Sequence, residues 1–166
     1  MDDLTHFSNA GRARMVDVSA KSETTRVAIA SGILRMQPAT LERIRSKNVA
    51  KGDVLTVADV GAVMAAKHTP DIIPMCHSIA LSGVDVAFSE ILETDAGGCV
   101  GIKVMTTACC VGQTGVEMEA LCAASVALLT IYDMCKAIDR GMRIENVQLD
   151  EKRGGKSGVW KRGEPA

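Results

Sequence analysis

Aromatic residues are nearly missing: Phe7, Phe88, Tyr132 and Trp160 are the only four in 166 residues. A surface that stacks unpaired bases needs several rings side by side, so this scarcity argues against RNA or single-stranded DNA as a partner. Neither sign of charge is in excess. A net charge of −1 supplies no global field to draw nucleic acid or a membrane surface. No C-x-x-C pairing occurs among Cys76, Cys99, Cys109, Cys110, Cys122 and Cys135, which therefore read as free thiols of a reducing, cytoplasmic compartment. A metal site through Cys76, His77, Cys109 and Cys110 would need a spacing that matches no standard zinc pattern, so no metal is expected. Long apolar runs are missing too. The most apolar uncharged stretch, residues 120–132, is too short to span a bilayer and contains Ser125 and Thr130. The start, Met1-Asp2-Asp3, is acidic and does not read as a signal peptide.

What is present centres on residues 114–136. Glu117 and Glu119 open this stretch, Asp133 and Lys136 end it, and nothing between is charged. A helix uncharged around its whole middle must be covered on all sides. A small domain rarely covers a helix completely, so a second copy of the chain is the expected lid. At about 1.5 Å of rise per residue, Glu119 and Asp133 lie roughly 21 Å apart along one helix and cannot share a small ligand within one chain. If both serve one site, two subunits build it.

The length suits one domain with a proper core, spanning residues 1–166. Residues 1–24 read as an irregular arm, with Val16 and Val18 alternating around Asp17. Residues 25–36 alternate as a strand, and Pro38 opens a short helix to residue 46. Asp53 is a good N-cap for a helix over residues 54–67, and residues 69–78, with two prolines, read as a loop or broken turn. Residues 81–92 and a strand around Val100, Ile102 and Val104 form a hairpin about Asp95-Ala96-Gly97-Gly98. The long helix is predicted from about residue 115 to 138, then a strand over 143–151 and a flexible, basic, glycine-rich tail over 152–166. Strand, helix, strand, strand, helix, strand predicts an α+β, ferredoxin-like (βαββαβ) antiparallel sheet with its helices on one face, in an oligomer.

Several residues have both a structural and a chemical reading. Thr114-x-x-Glu117 matches a capping box, which makes Glu117 structural. Glu119 lies beyond that cap; its ordinary reading is complementarity to the helix dipole. Residues 112–115 present free amides at a helix start, which suits an anion. Asp133 and Lys136 share a helix face and would ordinarily be a solvated pair. Lys51 precedes a helix start, where the dipole gives it no benefit, whereas Lys67 and His68 suit a helix C-terminus. His77 stands in a proline-bounded loop and could orient or protonate a ligand near neutral pH. Gly154-Gly155-Lys156-Ser157-Gly158 is not a Walker A loop, since Asp150 occupies the place of its first glycine. It leaves an arm carrying Lys152, Arg153 and Lys156 that could fold over phosphates. Taken together these residues suit a phosphorylated, hydrogen-bond-rich small molecule.

Five blocks carry a specific resemblance: Lys51-Gly52-Asp53-Val54, Asp71-Ile72-Ile73-Pro74-Met75-Cys76-His77, Thr114-Gly115-Val116-Glu117-Met118-Glu119-Ala120-Leu121, Thr130-Ile131-Tyr132-Asp133-Met134-Cys135-Lys136-Ala137 and residues 154–158. In order and spacing they resemble the cyclic pyranopterin monophosphate synthase family, the C protein of molybdenum cofactor biosynthesis. The likeness runs from Val16 to Gly158.

The resemblance implies a cytoplasmic lyase acting on (8S)-3′,8-cyclo-7,8-dihydroguanosine 5′-triphosphate to form cyclic pyranopterin monophosphate and diphosphate, without a cofactor. It implies a homohexamer, a trimer of dimers, with sites at the dimer seam. Asp133 matches the family's active-site aspartate, and Lys51 and Lys136 its acid–base lysines. Met75, Cys76, His77, Met118 and Glu119 match substrate-binding segments, and Arg26, Lys67 and Lys152 match basic positions lining the site. Two positions depart from the family pattern: Ser78 replaces a usual proline, and Gln113 a common arginine or lysine. The alternative is a non-catalytic, oligomeric metabolite sensor, since a fold does not fix a function.

Overall fold

A computed structural model describes residues 12–164 apart from 13, 48 and 157. The chain runs β1 (Thr24–Met36), α1 (Pro38–Arg45), α2 (Val54–Lys67), α3 (Thr69–Ile72), β2 (Leu81–Ile91), β3 (Val100–Gly112), α4 (Glu117–Cys135), β4 (Arg143–Arg153) and β5 (Trp160–Lys161). The fold is α+β, with one five-stranded sheet in the order β2-β3-β1-β4-β5. Every neighbouring pair is antiparallel. Half of the N-terminal arm expected over residues 1–24 lies outside the described residues.

Alternation along β1 divides the sheet. Ala28, Ala30, Leu34 and Met36 are buried, while Val27, Ile29 and Ile33 on the other face are half-buried. On the buried side α4 lies across β1, β3 and β4, and α2 packs beside it over β2. Small residues set the spacing. Ala120, Ala123, Ala124 and Ala127 are fully buried and let α4 approach the sheet closely, while Leu128 fills the space above Gly32. Burying a leucine of this kind contributes about 1.5–3 kcal/mol. Thr106 of β3 donates its hydroxyl to the Ala120 carbonyl (2.8 Å), which fixes the N-terminal half of α4 on the sheet.

Asp53 caps α2 as expected, accepting from the Thr56 amide at 3.2 Å. Other expectations need correction. α4 is shorter than residues 115–138, and its N-cap is Val116, with no side-chain capping bond. The proposed capping box at Thr114 and Glu117 is therefore not formed, because the helix begins two residues later than that box requires. The broken turn after α2 contains the single-turn helix α3. Lys152 and Arg153 complete β4, and Trp160–Lys161 pair with Glu151 and Lys152 as β5. Part of the stretch expected as a flexible tail is thus sheet: β1 offers free ladder positions at Val27 and Ala28, which the glycine-rich composition concealed.

α4 is the one helix among the described residues long and apolar enough to cross a membrane by length and composition. Here its buried face packs on the sheet and α2. The single chain does not cover it completely. Leu129 is 54% exposed, and Cys122, Ser125 and Val126 are half-buried.

Candidate active site

The titratable residues gather at the two ends of α4. At its C-terminal end Asp133 and Lys136 stand one turn apart, Lys136 being the C-cap. A carboxylate here faces the negative end of the helix dipole and needs cations to offset it. Two are supplied. Lys136 Nζ lies 2.7 Å from Asp133 Oδ1, and Lys51 Nζ 2.7 Å from Asp133 Oδ2. Lys51 also donates to the Asp133 main-chain carbonyl (2.9 Å), so it closes the end of α4 from the turn before α2. The bond from Lys136, then that from Lys51, lowers the Asp133 carboxyl to about 2. In return the bond to Asp133 raises the Lys136 ammonium above the ordinary lysine range. The result is a fixed carboxylate holding two protonatable amines, each about half-exposed in the single chain.

The N-terminal end of α4 borders two adjoining cavities. The larger, of about 770 Å³, is lined by Arg26, Gln113, Glu117, Lys152, Gly155 and Lys156, among others. Arg26 leaves β1 and donates from Nε to the Gly112 carbonyl and from Nη2 to the Gln113 carbonyl, both at 3.3 Å. Its charge is thereby tied to the loop that leads into α4. Glu117 turns back into the same cavity and pairs with Lys152 at 3.5 Å. The bend depends on Gly115, since a Cβ there would lie 2.6 Å from Glu117 Cδ. With Lys21, Arg153 and Lys156 also on its wall, this cavity has the charge to hold a polyanion.

The smaller cavity, of about 380 Å³, is lined by Met75, Cys76, His77, Met118 and Glu119, with Val16 and Val18 on its outer side. Lys21, Thr114, Gly115 and Glu117 border both cavities. His77 donates from Nε2 to the Val16 carbonyl (2.8 Å). Because a carbonyl only accepts, the proton is on Nε2, and Nδ1 is left to meet a ligand. Glu119 is only 2% exposed, and burial, with the Glu117 charge beside it, raises its carboxyl above the usual range. Burial, and then Glu119, push the Cys76 thiol up, so it sits there as a thiol rather than a nucleophilic thiolate.

Nearly every residue expected at a site thus falls into one of two groups. Lys51, Asp133 and Lys136 form one. Arg26, Met75, Cys76, His77, Met118, Glu119 and Lys152 form the other, roughly 21 Å away along α4 by helical rise. Lys67 ends α2 and lines neither cavity. Glu117 was missed as a site residue, because its spacing from Thr114 imitates a cap. The glycine at 115 was the available signal, being required by the carboxylate folded over it.

The chain is similar to known proteins over nearly its whole length. The model of the MoaC family matches residues 15–155. Cyclic pyranopterin monophosphate synthase of Novosphingobium aromaticivorans is 57% identical over 164 residues, covering 99% of this chain and 100% of that protein. The synthase of Desulfitobacterium hafniense is 60% identical, over 94% of this chain and 92% of its own. That of Listeria monocytogenes is 53% identical over 96% of each. The matched family model and this identity over nearly the full length lead to one conclusion: the chain belongs to the MoaC family.

Proposed function

We infer that this chain is a lyase of molybdenum cofactor biosynthesis, converting (8S)-3′,8-cyclo-7,8-dihydroguanosine 5′-triphosphate to cyclic pyranopterin monophosphate with release of diphosphate. The relatives bearing the name of that activity, aligned over nearly their whole length, support the reading and favour it over a non-catalytic sensor. The observation that carries the mechanism is Asp133 holding Lys51 and Lys136 at 2.7 Å each.

Opening the imidazoline ring of the purine and closing a pyrazine ring require several proton transfers, which paired amines can supply and accept. Asp133 fixes both lysines and keeps Lys136 charged, so Lys136 serves as a proton donor. Closing the cyclic phosphate expels diphosphate, whose growing negative charge needs cations. Arg26 and Lys152, with Arg153 and Lys156, provide them in the larger cavity, and make up for the neutral Gln113. The smaller cavity takes the bicyclic base, where Glu119, whose carboxyl burial raises, faces the base as a hydrogen-bonding partner and the Met118 and Met75 side chains give an apolar wall.

Both groups must reach one substrate although one chain holds them at opposite ends of α4. Two copies with their α4 helices antiparallel would bring Glu119 of one near Asp133 of the other, and would cover the exposed Leu129. The strand order and one-sided helices fit a single ferredoxin-like domain, assembled as a hexamer of three such dimers in the cytoplasm. The deciding experiment measures diphosphate released from the cyclised dihydro-GTP, with GTP as control. Release from the cyclised compound alone supports the activity, and recovery of the intact compound in a stable complex would overturn it.

A further inference from the structure

The glycines that follow β4 do different work. Both have left-handed backbones, with φ of +99° at Gly154 and +74° at Gly155. A Cβ on Gly154 would run into the Thr25 carbonyl, a main-chain atom of β1 that cannot retreat. A Cβ on Gly155 would instead meet the Arg26 guanidinium, 2.8 Å from Cζ and 3.2 Å from Nη2, and would overlap Nη1. That obstacle is the far end of a flexible side chain. A substituent at 155 therefore moves Arg26 rather than the strand. On its other edge the same guanidinium is tied to the Gly112 and Gln113 carbonyls. Arg26 thus sits in a slot between two backbone segments, and the absence of a side chain at 155 keeps the slot open toward the larger cavity, which both residues line.

We propose that Gly155 is a positioning residue for the lyase reaction, required because its bare backbone seats the Arg26 guanidinium where the substrate's phosphates bind. This rests on the reading of Arg26 as a phosphate-holding group. It gives a role to part of the 154–158 motif that is neither a Walker loop nor a loose tail.

The experiment is a double-mutant cycle on the purified enzyme, reading KM and kcat for cyclised dihydro-GTP alongside the melting temperature. Arg26→Ala first tests the underlying reading; if KM does not rise, that reading fails whatever Gly155 does. If it rises, Gly155→Ala is expected to raise KM about tenfold with kcat nearly kept, the loss expected for one misplaced charged donor. In the Arg26→Ala background the same change should add nothing to KM, since the group it displaces is gone. An additive effect, or no effect of Gly155→Ala in the native background, would overturn the proposal. Gly155→Asn, whose side chain tolerates the left-handed backbone, repeats the cycle should the alanine variant not fold. Gly154→Ala is the structural control: it should lower the melting temperature regardless of Arg26.

Discussion

Lys51 reaches Asp133 twice, by its carboxylate at 2.7 Å and by its main-chain carbonyl at 2.9 Å, across 82 residues of sequence. The two bonds hold the amine in one place at an exposed helix end, where a single surface pair would leave it free to swing. Exposed pairs contribute little to stability, because solvent screens them and ordering two side chains costs entropy. Lys51→Ala and Asp133→Asn are therefore expected to cut diphosphate release to a small residual rate while lowering the melting temperature by only a few degrees. Loss of activity accompanied by wholesale unfolding would contradict a role in chemistry.

The same aspartate governs the pH response. Asp133 raises the Lys136 ammonium, so the pairing is fully present below the ordinary lysine range and is lost as pH rises through the raised value. At the acid end it is lost only as pH falls toward about 2. With Lys136 as proton donor, activity should persist into alkaline solution, and the residual activity of Asp133→Asn should decline at lower pH than that of the native enzyme. A pH–rate profile of the two proteins checks this; coincident alkaline limbs would remove Lys136 as the donor.

Glu119 offers an independent test through stability. Burial raises its carboxyl, so the native state holds a proton to higher pH than the unfolded chain, which releases it in the ordinary carboxylate range. Its stabilising contribution is present below the ordinary carboxylate range and is lost as pH rises through the raised value. Glu119→Gln keeps the shape without the charge. The variant should melt higher than the native protein at pH 8 and nearly the same at pH 4, by about 2–4 °C per kcal/mol gained. A lower melting temperature at pH 8 would mean that the buried carboxylate is charged and paired.

If sites form between copies, defects at opposite ends of α4 should complement. Asp133→Asn and Arg26→Ala, each strongly impaired alone at substrate concentrations below the raised KM, would on unfolding and refolding together give mixed dimers with one intact site. Random mixing of a two-fold dimer then restores about a quarter of native activity. No recovery, with mixed dimers demonstrated by mass, would place each site within one chain.

Leu128→Ala probes the core that carries all of this. Leu128 is fully buried above Gly32, and truncating such a residue costs about 2–5 kcal/mol. Denaturant unfolding should show this loss at nearly unchanged m-value.

Much of this was legible from local pattern. The period-2 alternation of β1 and β2, the Asp53 cap and the uncharged middle of α4 follow from the preferences of neighbouring residues, and they set the α+β order. The Asp133–Lys136 pair was legible for the same reason, lying one helical turn apart. What neighbours cannot specify is which side chain meets which across long separations. The sequence by itself determined the elements, the charges at the ends of α4 and the motifs shared with the family. Only the tertiary structure decided that Lys51 closes on Asp133, that Glu117 turns to Lys152 instead of capping its helix, and that β4 extends to Arg153 and is joined by β5. Each of these depends on the antiparallel register of distant strands and the seating of α4 on the sheet, because a helix end or an open ladder position takes whatever partner packing brings to it.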